Sequence, residues 1–240
     1  MADVAIISAN YGNYDQVKTP LKQAGINAEW VIVTDNRDLA SEQDFLKDNP
    51  WATYGEENWR VVYCENNDIP MRAAKFPKLY PWKFTDAPMS IWIDGSCQVI
   101  SPMFAAEALD YVQGTTAIAQ FRHGRQCIYD EEFASAPMEK YKDEPMRAQV
   151  DYYRSLGHPE QWGLWPTTVI ARRHTAEMRM LSSSWEFEME RWSFQDQLSQ
   201  PYCLRNLNIR PVEFPEAIYR NGWLTVRDHG SAPSQAARGN

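Results

Sequence analysis

The residues of this 240-residue chain best placed to do chemistry are polar residues that end apolar runs. "SIWIDGSCQVI" (90–100) is apolar up to Asp94, pauses on Gly95 and Ser96, and turns apolar again. "VAIIS" runs into Asn10-Tyr11-Gly12, and "AEWVIVTD" ends in Thr34-Asp35. Short apolar runs bounded by turn residues read as buried strands of an α/β sheet, and the carboxyl ends of such strands are where these folds bind ligands. An acid at such an end, in a sheet with no phosphate-wrapping loop, can hold a divalent cation that carries the charge of a diphosphate. A plain turn at Asp94-Gly95-Ser96 is the alternative.

Other ways of handling phosphate or activating a nucleophile are excluded by their missing motifs. There is no G-x-x-x-x-G-K-[ST] loop, and "ANYGNYD" offers one glycine where a dinucleotide fold needs three. "DGSCQ" carries its serine in the wrong frame for a nucleophile elbow. No two of the four histidines lie within a helical turn of each other, which removes the H-E-x-x-H class. Cys64, Cys97, Cys127 and Cys203 are widely spaced without a C-x-x-C pair, so free thiols are expected rather than a zinc site or a redox dithiol.

The elements that must position these residues alternate between strand and helix patterns. Strands are expected at 4–8, 28–35, 59–65, 89–93, 97–100, 115–121 and 166–173, with a late one in "IRPVEFP". Helices are expected over 14–25, in the proline-interrupted 69–84, and over 103–113, 144–157 and 175–192, with another over 195–207. Such alternation implies parallel pairing in an open sheet, a Rossmann-like α/β domain over 1–230, followed by a disordered tail at 231–240.

Composition is compatible with this. An apolar fraction of 44% with 13% aromatics supplies a packed core. The longest apolar runs fall far short of the ~20 residues that span a bilayer, and "MADVAIISANYG" has neither the basic leader nor the cleavage pattern of a signal peptide. A cytoplasmic protein without a membrane partner is therefore expected. A net charge of −8 disfavours a broad nucleic-acid-binding face.

"WIDGS" looks like a reduced form of the acidic motif with which GT-A type nucleotide-sugar glycosyltransferases bind Mn²⁺ or Mg²⁺, with Ser96 standing where a second acid is usual. "RAAKFPKLYPWKFTDAPMSIWIDGSCQVI", "FRHGRQCIYDE", "QVDYYRSLGHPEQWGLWPTTVIARRH" and "SSWEFEMERWSFQDQLS" occur in the same order as in a glycosyltransferase-like family, formerly a domain of unknown function. That family includes plant mucilage and pectin-related proteins and bacterial and viral members, and the resemblance runs from about Val4 to Ser199.

The resemblance implies a GT-A-like fold and roles for individual residues. Asp94 matches the metal-motif acid, and Arg72 and Lys75 match a basic pair placed to meet a diphosphate. Tyr11 and Asp35 stand where GT-A enzymes hold the base and ribose, and His123 and Arg125 fall in a segment that could bind sugar or diphosphate. Pairing of Arg125 with Glu131 or Asp130 merely to fix the loop is the alternative there. Asp196 and Gln197 resemble the Asp-Gln that this fold class places near the donor sugar, although Ser193 as a helix cap with an early acid would also explain them. His229, outside the resemblance, is a candidate to complete the metal shell, since imidazole is a competent ligand for Mn²⁺.

The expected function is metal-assisted glycosyl transfer from a nucleoside diphosphate-sugar, a UDP-sugar first among them. The acceptor is expected to be a carbohydrate, with a hydroxylated base in viral DNA as another option. Asp196 would act as base in an inverting reaction or position the sugar in a retaining one. A nucleotidyltransferase and a non-catalytic sugar- or nucleotide-binding module are the alternatives.

Overall fold

The computed structural model describes residues 1–41, 58–66 and 68–226. His229 and the tail at 231–240 lie outside the described residues.

The strand signal is strongest where both faces of the sheet are covered. β1 (Val4–Asn10) is buried at every position. β1 pairs in parallel with β2 (Ala28–Thr34) on one side and with β4 (Met89–Ile93) on the other, and β3 (Arg60–Tyr63) extends the sheet beyond β2. β7 (Val169–Arg173) lies antiparallel to β4 and to β6 (Ile118–Gln120), and β8 (Val212–Glu213) closes the far edge parallel to β6. The sheet order is β3-β2-β1-β4-β7-β6-β8, mostly parallel with one reversed strand. β5 (Cys97–Val99) pairs instead with β9 (Leu224–Val226) in a separate antiparallel ribbon.

Period-two alternation sends side chains into two cores. Ala5, Ile7, Ala9, Trp92 and Ile170 face the larger one. It is completed by residues of α4 (Ile128–Ser135), α5 (Met146–Ser155), α6 (Ala176–Arg191) and α7 (Asp196–Asn206). Val4, Ile6, Ile91, Ile93 and Ala171 face the other core, with α3 (Phe104–Asp110) and the β5–β9 ribbon against them. A sheet covered on both faces is why its strands read as continuous apolar runs.

The proline-rich segment before β4 folds as a staircase of short helical pieces. α1 (Pro70–Ala73) and α2 (Lys75–Leu79) are followed by a 3₁₀ turn at Pro81–Lys83. Pro70, Pro77 and Pro81 each lie in the first turn of their piece, where a missing N–H costs no hydrogen bond. The end of α2 is held from across the core: Ser182 Oγ donates to the Leu79 carbonyl at 2.6 Å, and the buried Arg172 guanidinium donates to the Lys78 carbonyl.

Two expectations about elements are corrected. Residues 14–25 form no helix; Pro20 lacks the N–H a helix needs there and clashes with the preceding turn, while Val17 and Thr19 are β-branched. Ser193 does not cap α7. Gln195 holds the N-cap position, and the Ser193 hydroxyl is hydrogen bonded to Gln149 Oε1 at 2.5 Å.

Candidate functional site

β1 and β4 are parallel neighbours with Ile7 opposite Trp92, so the residues following both strands emerge at one edge. A cleft opens there. Its walls are Asn10 at the end of β1 with Tyr11, Tyr14 and Asp15 after it, Trp92, Asp94 and Gly95 at the end of β4, and Lys75 and Lys78 on α2. Lys140, Tyr141 and Phe194 line it from the helical side.

The loop after β1 is stitched by its neighbours. Asn10 uses both ends of its amide on Asp15, donating to its carbonyl at 2.9 Å and accepting its N–H at 3.1 Å. The Thr34 hydroxyl donates to the Asn10 carbonyl at 2.6 Å, and Asp35 Oδ1 accepts the Gly12 N–H at 2.8 Å. Tyr11 lines the cleft, but its ring is almost wholly covered, and burial beside the Cys64 thiol pushes its phenol well above the usual range. Asp35 thus holds the loop in which Tyr11 sits.

Gly12 is needed for this turn. Its φ is +60°, and a Cβ there would lie 2.7 Å from Pro70 Cγ. Gly12→Ala should cost about 1–3 kcal/mol, the left-handed penalty plus a clash with a rigid ring. A lowered urea midpoint at unchanged m-value would show it; a midpoint equal to wild type would refute it.

Asp94 ends β4 in a tight turn, with the Cys97 N–H bonded to its carbonyl at 2.9 Å. The carboxylate is gripped on Oδ1 by Trp92 Nε1 at 2.7 Å and by Lys78 Nζ at 3.1 Å. Lys78 Nζ also lies 2.8 Å from Asp196 Oδ2 and 3.4 Å from the Thr167 hydroxyl. Lys75 Nζ donates to the same Asp196 oxygen at 2.7 Å. Two residues far apart in sequence, Asp94 and Asp196, are therefore joined through one buried ammonium.

Lysines three apart share a helix face, which is how α2 aims both ammoniums at Asp196. Burial opposes the charge on Lys78, yet Asp196 and Asp94 outweigh it and leave its pKa raised. For Lys75 burial wins and the pKa is lowered despite Asp196. Burial likewise opposes ionisation of Asp196, but the two lysines hold its carboxyl well below the usual carboxylate range.

The expected basic pair Arg72/Lys75 is split. Arg72, on α1, is taken by Glu144 at 3.4 Å and Asp68 at 3.9 Å, with its guanidinium 5.7 Å from the centroid of the Phe194 ring. Lys78 takes its place beside Lys75.

His123, Arg125 and Gln197 gather on a second buried carboxylate, Glu131, and are not among the residues lining the cleft. Arg125 makes two bonds to Glu131 Oε2, at 2.8 Å from Nε and 2.7 Å from Nη2. Oε1 accepts from Ser135 at 2.8 Å, Gln197 at 3.1 Å and Gln195 at 3.2 Å. His123 stands 3.9 Å from Oε2, and burial lowers its pKa. This is the loop-fixing arrangement that the sequence left open as an alternative. Tyr141 links it to the cleft, donating to Gln195 Oε1 at 3.1 Å.

The described residues do not fit the divalent cation expected on Asp94. Oδ1 of that carboxylate is taken by Lys78 and Trp92, and Ser96 offers no second carboxylate. Asp15, the other acid of the cleft, packs its carboxylate against Gly95. Among the described residues, no group of three or more His, Cys, Asp and Glu side chains is placed to share a metal.

Lys78, Trp92, Asp15, Lys140, Tyr141 and Phe194 are site residues that the sequence reading did not single out. Only Lys78 left a signal, its three-residue spacing from Lys75 in "KFPK".

Comparison with known proteins agrees with this architecture. The family model described as TOD1/MUCI70, glycosyltransferase-like domain, matches residues 1–221. No curated protein matches the chain in sequence. Among solved structures, an apo bifunctional glycosyltransferase, WbbM, superposes with a TM-score of 0.51 at 11% identity, over 89% of this chain and 39% of that one. This chain thus spans about two-fifths of WbbM. The galactosyltransferase LgtC, solved with donor and acceptor sugar analogues, gives 0.45 at 11% identity over 85% and 70%. A CMP:2-keto-3-deoxy-manno-octonic acid synthetase complexed with CTP gives 0.43 at 14% identity over 90% of each chain. At such identities the likeness to WbbM is one of fold. Among the described residues, no helix is long and apolar enough to cross a membrane.

Proposed function

The chain belongs to the TOD1/MUCI70 glycosyltransferase-like family, and on that premise we propose that it transfers a sugar from a nucleoside diphosphate-sugar, a UDP-sugar first among them, to an acceptor hydroxyl. The observation that carries this reading is the cleft at the ends of β1 and β4, where two lysines and two aspartates lie within one hydrogen-bonded cluster.

Breaking the bond to the anomeric carbon leaves negative charge on the departing diphosphate, and fixed positive charge aimed at those oxygens lowers that barrier. Lys75 supplies it from the cleft wall, its side chain 17% exposed and its direction set by Asp196. Asp94, with Oδ1 held by Lys78 and Trp92, has Oδ2 left to accept a hydroxyl of the ribose or sugar. Tyr11 and the loop fixed by Asp35 form the nucleoside end of the cleft.

Asp196 is buried and held ionised by two ammoniums, so it is a poor proton acceptor for an acceptor hydroxyl. Its role is to position Lys75 and Lys78. Gln197, bound to Glu131, fixes the start of α7 rather than contacting the donor. A carbohydrate is the acceptor class that suits this chain, because a net charge of −8 opposes a polyanion such as DNA.

Incubating the protein with UDP-, GDP-, ADP- and CMP-linked sugars and scoring released nucleotide tests the reading. At least one nucleoside diphosphate-sugar should be turned over, and Asp94→Ala should lower that rate about tenfold or more. Failure to turn over any donor, or an alanine variant as fast as wild type, would sink it.

A further inference from the structure

In the fold class this chain resembles, the acid ending the central strand holds a divalent cation, but here that acid already has a cation on it. Lys78 Nζ has three acceptors around it, Asp94 Oδ1 at 3.1 Å, Asp196 Oδ2 at 2.8 Å and the Thr167 hydroxyl at 3.4 Å, one for each N–H. It is buried, with its side chain 4% exposed, and Arg172 and Ser182 pin the backbone at the end of its helix. An ammonium fixed this way cannot swing aside. A dication on the same carboxylate would meet its repulsion at short range in a poorly solvated site.

We propose that Lys78 stands in for the divalent cation, so that donor binding and transfer proceed without metal, with Lys75 as the ammonium presented to the diphosphate. This rests on the reading of a nucleoside diphosphate-sugar donor. The two lysines divide the work a metal ion does alone. Lys78 neutralises and orients Asp94 and Asp196, while Lys75, partly exposed on the cleft wall, meets the leaving group. Lys140 also lines the cleft and adds a third positive charge to it.

The test is calorimetric titration of the full chain with UDP, GDP, ADP and CDP, first in EDTA and then in excess Mn²⁺. At least one diphosphate should bind in EDTA, with an affinity that Mn²⁺ improves by less than about tenfold, or 1.4 kcal/mol. Lys75→Met should weaken that binding about tenfold or more in both buffers. A gain of tenfold or more with Mn²⁺, lost in Asp94→Asn, would overturn metal independence and leave the donor reading standing. Unchanged binding by Lys75→Met would overturn the assignment of the diphosphate to that lysine. Binding of no diphosphate in either buffer would overturn the donor reading and the proposal together.

Discussion

Lys78→Met is expected to destabilise the protein by about 3–5 kcal/mol, the usual cost of removing one partner from a buried ion pair. Methionine fills the volume of the lysine stem, so the loss would report the ammonium and not a cavity. Without it, Asp196 retains Lys75 at 2.7 Å and Asp94 retains Trp92 at 2.7 Å, but nothing joins the two carboxylates. Transfer should fall about a hundredfold or more, because Asp94 and Lys75 then face the donor without their common anchor. Urea unfolding at pH 7 measures the first effect and release of nucleoside diphosphate the second. Lys78→Arg keeps the charge and should lose less stability than the methionine variant, though the fork of a guanidinium cannot place three donors as an ammonium does. A Lys78→Met protein within about 1 kcal/mol of wild type would show that the cluster is not held together by this side chain.

The same cluster shows what could be read from the sequence and what could not. β1 and β4 were legible because a strand covered on both faces reads as a nearly continuous apolar run, and Asp94 was legible as the residue at which that run stops. The pairing of Arg72 with Lys75 came from the family resemblance, which matches residue types and not side-chain partners. Arg72 is held by Glu144 and Asp68, while Lys75 and Lys78 are the pair that converges on Asp196. Prolines announced the interruption, but the end of α2 is held by contacts from α6 and β7, Ser182 and Arg172 on its last carbonyls.

Long-range polar partnerships left no local trace. Glu131 collects donors from Arg125, Ser135, Gln195 and Gln197, and only the first two are near it in sequence. The reversed β7 and the β5–β9 ribbon were likewise hidden, since alternation of strand and helix fixes neither the direction of a returning strand nor a partner far along the chain.

Asp196 provides the second large effect, and its sign follows from the direction of its pKa. Although burial alone would raise it, Lys75 and Lys78 together hold the folded-state pKa well below the value of about 3.9 for an unfolded aspartate. A carboxylate depressed on folding stabilises the native state above its unfolded pKa, and that contribution drains away as pH falls towards the folded value. The wild-type protein should therefore lose about 2–3 kcal/mol through this one group between pH 5 and the acid limit. Asp196→Asn removes the titration and leaves two ammoniums facing an amide. The variant should be weaker by about 3–5 kcal/mol at pH 7, and its stability should change less steeply with acid than that of the wild type. Urea midpoints at pH 7, 5, 4 and 3 for the two proteins separate these effects. Parallel pH profiles would mean that Asp196 titrates alike in the folded and unfolded chain, and the ion-pair cluster would then lose its role in holding Lys75 and Lys78 at the cleft.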